Sequence, residues 1–207
     1  MALNQVNVGN IGNKLATGTQ TANAGFQGDS IVSAPHGKWY SAALAGRVFV
    51  GSALIAGVTI PVNTTTAPTF TLFNPLTSKV ALELISLDIG FPAAAATVVG
   101  TILLSMGAQT PTSPTSGGVT VTSLIGASAV SQAALYSAAT ITAVTSHMPL
   151  FTYNGTANTS DGPPHYDFDG KVIIQPGGFV TLTSTPVQTA VSLPSFIWAE
   201  WPLPALN

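Results

Sequence analysis

Short apolar runs separated by Gly- and Pro-rich turns recur through the chain from Arg47 onward. Runs such as "RVFVGSALIAGVTIPV" and "TFTLF" are rich in the β-branched and aromatic residues that favour strands. The turn clusters "AQTPTSPTSGG", "NGTANTSDGPP" and "QPGG" lie between later runs. Many short strands with this punctuation predict an all-β fold, an antiparallel, jelly-roll-like β-sandwich over residues 34–207.

Three other segments have a character of their own. Residues 1–33 are polar, Gly- and Asn-rich and without sustained periodicity, which predicts an extended N-terminal arm, either disordered or ordered only against a neighbouring subunit. In "HGKWYSAALAGR", residues 39, 40, 43 and 44 share one helical face, and Gly46 is suited to end a short helix. "GASAVSQAALYSAA" is ambiguous, because its Ala content permits a helix that its Ser and Gly disfavour. Beyond residue 90 we predict strands at about 98–106, 119–125, 139–145, 148–153, 171–175, 179–184 and 193–200.

The run "VALELISLDIG" changes its phase in the middle. Val80, Leu82 and Leu84 alternate with small or charged residues, and then Ile85, Leu87 and Ile89 continue the alternation one position out of step. Strand side chains have a period of two, so a regular half-buried strand cannot show this pattern. We favour a β-bulge near Leu84–Ile85 that places all six apolar residues on one face and leaves Glu83 and Asp88 solvated. The alternative is a central strand buried on both faces.

Charge is scarce along the whole chain. Only 6% of its 207 residues are charged, with five Lys and Arg against seven Asp and Glu. Five scattered cations cannot displace the counterions of a nucleic acid or hold an anionic membrane surface, so neither is expected as a partner. "FPAAAATVVGTILLSM" is shorter than the ~20 apolar residues that span a bilayer, and we predict no transmembrane segment. The N-terminus does not have the pattern of a secretory signal, and the absence of Cys excludes disulfides and thiolate chemistry.

This composition bears on how the surface is used. A free monomer normally carries a charged surface that keeps it apart from its neighbours, whereas Thr, Ser, Asn, Gly and Ala must cover much of this one. A subunit whose faces are buried in an assembly fits the pattern better than a monomer with a neutral, hydroxyl-rich surface, because interface cores are depleted of charge.

No catalytic motif is found, and we expect no enzyme activity, no catalytic residues and no cofactor. The chain lacks a nucleophile elbow, "GNIGNK" is too short for a phosphate-binding loop, and His36, His147 and His165 have no zinc-type spacing. Nothing in the spacing of Glu83 and Glu200 indicates an acid–base pair. We interpret Glu200, between Trp198 and Trp201, as facing water or a Lys while the aromatic residues pack at a strand end. Phe196 and Trp198 alternate onto one strand face, and Ile197 and Trp201 lie on the other.

The strongest polar constellation is "SDGPPHYDFDGK". It contains Asp161, His165, Asp167 and Asp169, and the last three would share one face of a strand, where a hard cation or a glycan could bind. The spacing does not match an EF-hand, which needs Gly at the sixth loop position and Glu at the twelfth. A solvated loop rich in Asp and Gly is the commoner explanation, and we predict no metal site.

Four segments together carry a resemblance. They are "HGKWYSAALAGRVFV", "AGVTIPVNTTTAPTFTLFNPLTSKVALELISLDIG", "IIQPGGFVTLTSTPVQTA" and the closing "SFIWAEWP", which cover 76 of the 207 residues. Their order resembles structural proteins of tailed bacteriophages, which tend to show an H-G-K/R-aromatic segment, an N-P turn before a long apolar strand, a P-P-G-G-like strand and a final W-x-E-x-P. Here "QPGG" stands for the double Pro, and "WAEWP" is a near match.

The resemblance implies a virion component built on a β-sandwich. We expect a capsid decoration (cement) or head-fibre subunit that stabilises the particle through subunit contacts. Its partners would be copies of itself, with a homotrimer as the expected symmetry, and other virion proteins such as the major capsid protein. It would be located in the virion, which is assembled in the cytoplasm of the bacterial host. The alternative is a carbohydrate- or receptor-binding module of a phage tail or fibre, in which Trp39, Trp198, Trp201 or the Asp161–Asp169 loop lines an exposed groove.

Overall fold

The computed structural model describes residues 5–8, 18–21, 38–54, 56–64, 66, 68–90, 99–116, 119–126, 129–142, 144, 146–153, 164–186, 188 and 191–203. The chain divides into two compact units, Met1–Ala45 and Gly46–Asn207. Most of the arm predicted over residues 1–33 lies outside the described residues. Within the described part of the chain, no helix has the length and apolar character needed to cross a membrane.

The described residues of the N-terminal unit form two short strands and one helix. Strands β1 (Gln5–Val8) and β2 (Gly18–Thr21) pair antiparallel, and helix α1 spans Tyr40–Leu44. The Nζ atom of Lys38 lies 4.9 Å from the ring centroid of Trp39, a cation–π distance. Directly after this unit, Gly46 has φ +69°, the left-handed geometry in which Gly terminates helices. The predicted short helix is therefore confirmed.

The C-terminal unit is an all-β sandwich of two antiparallel sheets, which confirms the predicted fold class. Its twelve described strands are β3 (Val48–Ala53), β4 (Val58–Thr59), β5 (Pro68–Phe73), β6 (Val80–Gly90), β7 (Gly100–Ala108), β8 (Thr112–Thr115), β9 (Val119–Ser123), β10 (Ala134–Thr140), β11 (Ser146–Tyr153), β12 (His165–Ile174), β13 (Gly178–Ser184) and β14 (Val191–Pro202). The six-stranded sheet has the order β11-β7-β13-β5-β10-β8. The second sheet has the five strands β12-β6-β14-β3-β9 in this order, which we call the five-stranded sheet, and the short strand β4 pairs with β14 as its sixth member.

The core forms where the apolar faces of both sheets meet. Leu72 and Leu104 come from the six-stranded sheet, and Leu84, Phe196 and Trp198 come from the five-stranded one; all five side chains are fully buried. The ring of Trp198 stacks on Phe49 with 6.1 Å between centroids, and Phe70 stacks across the sandwich on Phe196 at 5.3 Å. Strand alternation thus delivers the large side chains to one interior, as the sequence predicts for Phe196 and Trp198.

The phase change in β6 is a β-bulge. The pairing of β6 with β14 runs Ile197↔Ser86 and then Trp198↔Leu84, so Ile85 is the extra residue. Five of the six apolar residues of β6 are buried in the core, and Ile85 is half-buried. The predicted bulge is confirmed, except that Ile85 does not join the other five in the core.

One predicted strand of this unit needs correction. The strand expected at 139–145 is wrong, because β10 ends at Thr140 and the ambiguous Ala-rich segment supplies its residues instead. The chain then passes from β10 to β11, which lies at the opposite edge of the six-stranded sheet. Ile141 in this connection is buried against Phe73 and Phe179, on the sheet face that points away from the core. The connection after β10 therefore contains the apolar and β-branched residues typical of a strand, but it does not pair as one.

Candidate functional site

Two of the segments that carry the resemblance, the turns "NPLTSK" and "QPGG", contact each other directly. The backbone N–H of Asn74 donates to Gly178 O at 2.9 Å, and the N–H of Gly177 donates to Asn74 O at 2.7 Å. The buried Asn74 side chain donates from Nδ2 to Val80 O at 2.8 Å and to Ile174 O at 2.9 Å. Asn74 therefore ties both turns and the strands that leave them into one unit.

The closing segment "WAEWP" reaches the same end of the sandwich. Pro202 pairs with Val80, and the backbone N–H of Leu203 donates to Lys79 O at 2.9 Å, directly after the "NPLTSK" turn. The N–H of Glu200 donates to Arg47 O at 2.8 Å, at the start of the "RVFV" strand. Segments far apart in sequence thus form one structural unit, which we call the motif end of the sandwich.

Glu200 is a buried carboxylate in this unit, with only 5% of its surface exposed. Its oxygens accept hydrogen bonds from Ser131 Oγ at 2.5 Å, from the backbone N–H of Gln132 at 3.0 Å and from that of Ala133 at 3.3 Å. Trp198 Nε1 lies 3.4 Å from the same carboxylate. No Lys, Arg or His of the described residues forms an ion pair with it. Glu200 therefore holds the segment before β10 against β14 through hydrogen bonds to its charge.

The expectation that Glu200 faces water or a Lys is wrong. Glu200 follows Phe196 and Trp198 at intervals of two, and this alternation puts all three on the core side of β14. The same alternation was visible in the sequence and could have predicted the burial. The alternation could not have identified the groups that donate to the Glu200 carboxylate, because they belong to residues 67 to 69 positions away in the sequence.

The polar constellation predicted in "SDGPPHYDFDGK" is only partly brought together by the fold. Asp161 lies outside the described residues. His165 on β12 pairs with Asp88 on β6, and His165 Nδ1 lies 2.7 Å from Asp88 Oδ1. Its Nε2 lies 3.2 Å from Asp167 Oδ1. The imidazole thus bridges two carboxylates, one of which, Asp88, the sequence interpretation left solvated.

The rest of the constellation is displaced by an irregularity in β12. Its pairing with β6 jumps from Asp167↔Ser86 to Val172↔Leu84, and Asp169 adopts φ +48° inside this bulge. The alternation that would place residues 165, 167 and 169 on one face is therefore broken. No group of three or more His, Cys, Asp or Glu within the described ranges could hold a metal ion.

The electrostatics of this cluster favour the protonated ring. The hydrogen bond to Asp88 raises the pKa of His165, and the charges of Asp88 and Asp167 act in the same direction, against a smaller opposing effect of desolvation. About half of the His165 side chain is exposed. With a carboxylate at each nitrogen, the ring is suited to hold β12 against β6 rather than to accept a proton from a substrate.

Glu83 is also held by a neighbour, which corrects the expectation that it is solvated. Trp201 Nε1 donates to Glu83 Oε2 at 2.7 Å, on the face of the five-stranded sheet that points away from the core. Gly170 has φ +77° and approaches so closely that a Cβ atom there would lie 2.7 Å from Glu83 Oε1. The β12 bulge, the carboxylate and the indole therefore pack as one group.

The outward face of the five-stranded sheet carries a group of apolar side chains among polar ones. Val50 pairs with Ile197, and both alternate with core residues, so they point outward together with the bulge residue Ile85 and with Leu193. These four side chains are half-buried. Ile173 is 48% exposed and Trp201 37% exposed on the same face. Glu83, Asp88 and Asp167 are carboxylates on this face, and each lies close to a side-chain partner, Trp201 for the first and His165 for the other two.

The two tryptophans of the C-terminal unit do not form a sugar platform. Trp198 is fully buried in the core, which contradicts its place in an exposed groove. Trp39 is half-buried within the N-terminal unit, and Trp201 is engaged with Glu83. A shallow groove of about 460 Å³ lies elsewhere, between Leu54, Val58, Pro68, Ser137 and Val191, and none of the described residues that line it is titratable.

A buried row of hydroxyls crosses the outward face of the six-stranded sheet. Ser105 Oγ lies 2.7 Å from His147 Nδ1 and 2.6 Å from Thr183 Oγ1, while Thr71 donates to Thr181 at 3.0 Å. A Ser next to a His suggests a nucleophile and its base. However, Ser105 has no exposed surface. The row is therefore a set of mutually satisfied polar groups, and its Ser–His contact was not foreseen because it joins residues 42 positions apart.

Comparisons with known proteins add no relative. No protein-family model matches the chain, and neither the curated proteins nor the solved structures compared with it gave a match.

Proposed function

We propose that the protein is a structural subunit of a bacteriophage virion, a capsid decoration (cement) or head-fibre protein that stabilises the particle through subunit contacts. The observation that carries an assembly role is the outward apolar face of the five-stranded sheet, defined by Val50, Ile85, Ile173, Leu193, Ile197 and Trp201. Large apolar side chains grouped on the outward face of a sheet are typical of a contact with another macromolecule.

The assignment to a virion rests on the resemblance of the four segments. All four supply residues to the motif end, where Asn74, Gly177 and Glu200 hold turns and strand ends together. These contacts give the resembling residues a structural reason to occur in this order. They support a shared sandwich framework more than a shared catalytic or binding site.

The distribution of polar groups supports the same role. The carboxylates of Glu83, Asp88 and Glu200 are each engaged in hydrogen bonds that join strands or loops. Groups committed to holding the fold are poor candidates for acid–base chemistry. Copies of the chain and the major capsid protein are the partners that we propose, with a homotrimer as the expected symmetry.

Mass spectrometry of purified particles of the phage that encodes the chain tests this proposal. We expect many copies per particle, and particles made without the gene should bind the purified protein stoichiometrically. Ile197→Lys and Ile173→Lys place a charge on the outward apolar face and should weaken that binding, whereas Thr112→Lys on β8 serves as a matched surface control. Particles that contain no copies and bind none would refute the proposal. Glycan binding that is lost in Trp201→Ala, with the fold intact, would favour the carbohydrate-binding alternative.

A further inference from the structure

Among the described strands, the two large sheets end in four edge strands, β8, β9, β11 and β12. Exposed edges invite pairing with other chains, and proteins block them with proline, charge or bulges. Strand β8 contains Pro114 and a residue with positive φ, Ser113. Strand β11 contains Pro149 beside a register shift. Strand β12 exposes His165, Asp167, Asp169 and Lys171 around its bulge. Three of the four edges are therefore protected.

Strand β9 has none of these devices. Its sequence "VTVTS" is β-branched apart from the last residue, and it pairs with β3 in continuous register over all five residues. The nearest charged residues in the sequence are Asp88 and Asp161, because residues 89–160 contain no Asp, Glu, Lys or Arg. Val121 is 38% exposed, and Leu124 and Ile125, just beyond the strand, are 49% and 40% exposed. This edge therefore presents a regular, uncharged and partly apolar strand.

The hydrogen-bond phase of β9 follows from its contact with β3. The N–H of Leu124 donates to Val48 O at 2.9 Å, and antiparallel pairs alternate between bonded and non-bonded positions. Thr120 and Thr122 therefore direct their backbone groups toward β3. The backbone groups of Val119, Val121 and Ser123 point away from the sheet, except that Ser123 O accepts from the N–H of Gly126 in the following turn.

We propose that β9 pairs antiparallel with β9 of a second copy of this chain, around a two-fold axis through Val121. This register sets Val121 opposite itself and Thr120 opposite Thr122 of the other copy. Val–Val and Thr–Thr cross-strand pairs are favourable, and no like charges meet. The outward N–H and C=O of Val121 then form about two backbone hydrogen bonds across the axis, and the ladder ends at Ser123, which is buried and whose O is held by the following turn. The five-stranded sheets of the two copies then join edge to edge through β9 and form one continuous sheet of ten strands.

The β9 pairing specifies a partner, a second copy of the chain, and the strand edge that the partner binds. It rests on the proposed role as a structural subunit. Two five-residue strands bury much less than a standard protein interface, so the pairing is weak between free copies. On a particle, where neighbouring copies are held at high effective concentration, the same contact becomes strong. A two-fold contact at β9 uses a surface separate from the outward apolar face, and it is independent of the expected trimer.

Disulfide trapping tests the proposed register, because the chain has no Cys of its own. The purified full-length variants Thr120→Cys and Thr122→Cys are oxidised separately and as an equimolar mixture. Both side chains are exposed, so both variants should fold. Across a non-bonded antiparallel pair the two Cα atoms are about 4.5 Å apart, within the range that a disulfide spans. The mixture should give a disulfide-linked dimer at least about tenfold faster than either variant alone.

Two controls separate this pairing from random collision. A mixture of Thr112→Cys, on the protected edge β8, with Thr120→Cys should give only the slow background. Val121→Pro, added to both β9 variants, removes an outward N–H without removing a bond to β3, and it should abolish the fast reaction. Equal rates in all mixtures, or a fast reaction that survives Val121→Pro in protein that still melts cooperatively, would overturn the proposal. Particle binding by protein that fails to form the mixed disulfide would retain the structural role and reject only the β9 contact.

Discussion

Glu200 offers the sharpest test of what holds the motif end together. Replacing it with Ala removes a carboxylate that is 5% exposed and leaves the donors of Ser131 and Gln132 without their acceptor. Ala133 loses less, because its N–H also lies 3.0 Å from Ser131 Oγ. The contact from Trp198 Nε1, at 3.4 Å, is long and adds little. The effect of the substitution therefore comes mainly from two hydrogen bonds to a charge.

These two bonds set the size of the effect. A hydrogen bond to a charged group contributes about 1.5–3 kcal/mol, and water that enters the vacated space recovers part of the loss. We expect Glu200→Ala to lower the free energy of unfolding by about 3–4 kcal/mol. In a domain of this size, such a loss lowers Tm by about 10 °C. Glu200→Gln keeps the volume and one acceptor oxygen but turns an NH2 group toward a donor, and it should cost about 1–2 kcal/mol.

Urea and thermal denaturation, followed by far-UV circular dichroism, measure this order. Glu83→Gln is the matched control, because Glu83 is half-buried with a single bond from Trp201, and it should cost under about 1 kcal/mol. The expected order of destabilisation is Glu200→Ala, then Glu200→Gln, then Glu83→Gln. A Glu200→Ala variant within about 1 kcal/mol of the wild type would refute the view that the carboxylate holds this segment in place.

Three further substitutions test other parts of the sandwich. His165→Asn should destabilise the protein at about pH 5.5 and have almost no effect at about pH 9. The pKa of His165 is raised in the folded protein, so its contribution to stability is complete below the unfolded-state pKa of about 6.5 and is lost as pH rises through the folded-state pKa. Equal losses of Tm at both pH values would contradict this. Leu84→Asp buries a charge at a fully buried position and should cost several kcal/mol, so a soluble variant with unchanged Tm would show that β6 is oriented incorrectly. Gly170→Ala and Gly126→Ala both strain a left-handed residue by about 1–2 kcal/mol, but only the former meets Glu83 Oε1. Gly170→Ala should therefore lower Tm more than Gly126→Ala does, and it should also shift the Trp fluorescence. Identical behaviour of the two variants would refute the close contact between Gly170 and Glu83.

Much of the fold was predictable because it depends on local patterns. The β-branched runs between Gly- and Pro-rich turns predict a sandwich, and the shifted alternation in "VALELISLDIG" predicts the bulge at Ile85. The strand face shared by Phe196 and Trp198 follows from the same period of two. Where local composition was ambiguous the prediction failed, as for the strand expected at 139–145.

The candidate sites depended on contacts that no local pattern contains. The neighbours of Asp88, Glu83 and Glu200 come from positions 67 to 118 residues away. The sequence therefore showed that the carboxylates were few, but it could not show that each one has a partner. The protection of three sheet edges likewise became visible only when the strand order identified which strands are edges.

The sequence by itself determined most of the strands, the bulge in β6 and the scarcity of charge, because strand side chains alternate with a period that is readable within a few residues. The tertiary structure alone decided that Asn74 and Gly178 share a hydrogen bond, that Glu200 accepts hydrogen bonds from Ser131 and Gln132, and that β9 lies at an unprotected edge. Strand pairing joins residues about a hundred positions apart, and many pairings satisfy the same local alternation. Only the packing of both sheets around one core selects among them.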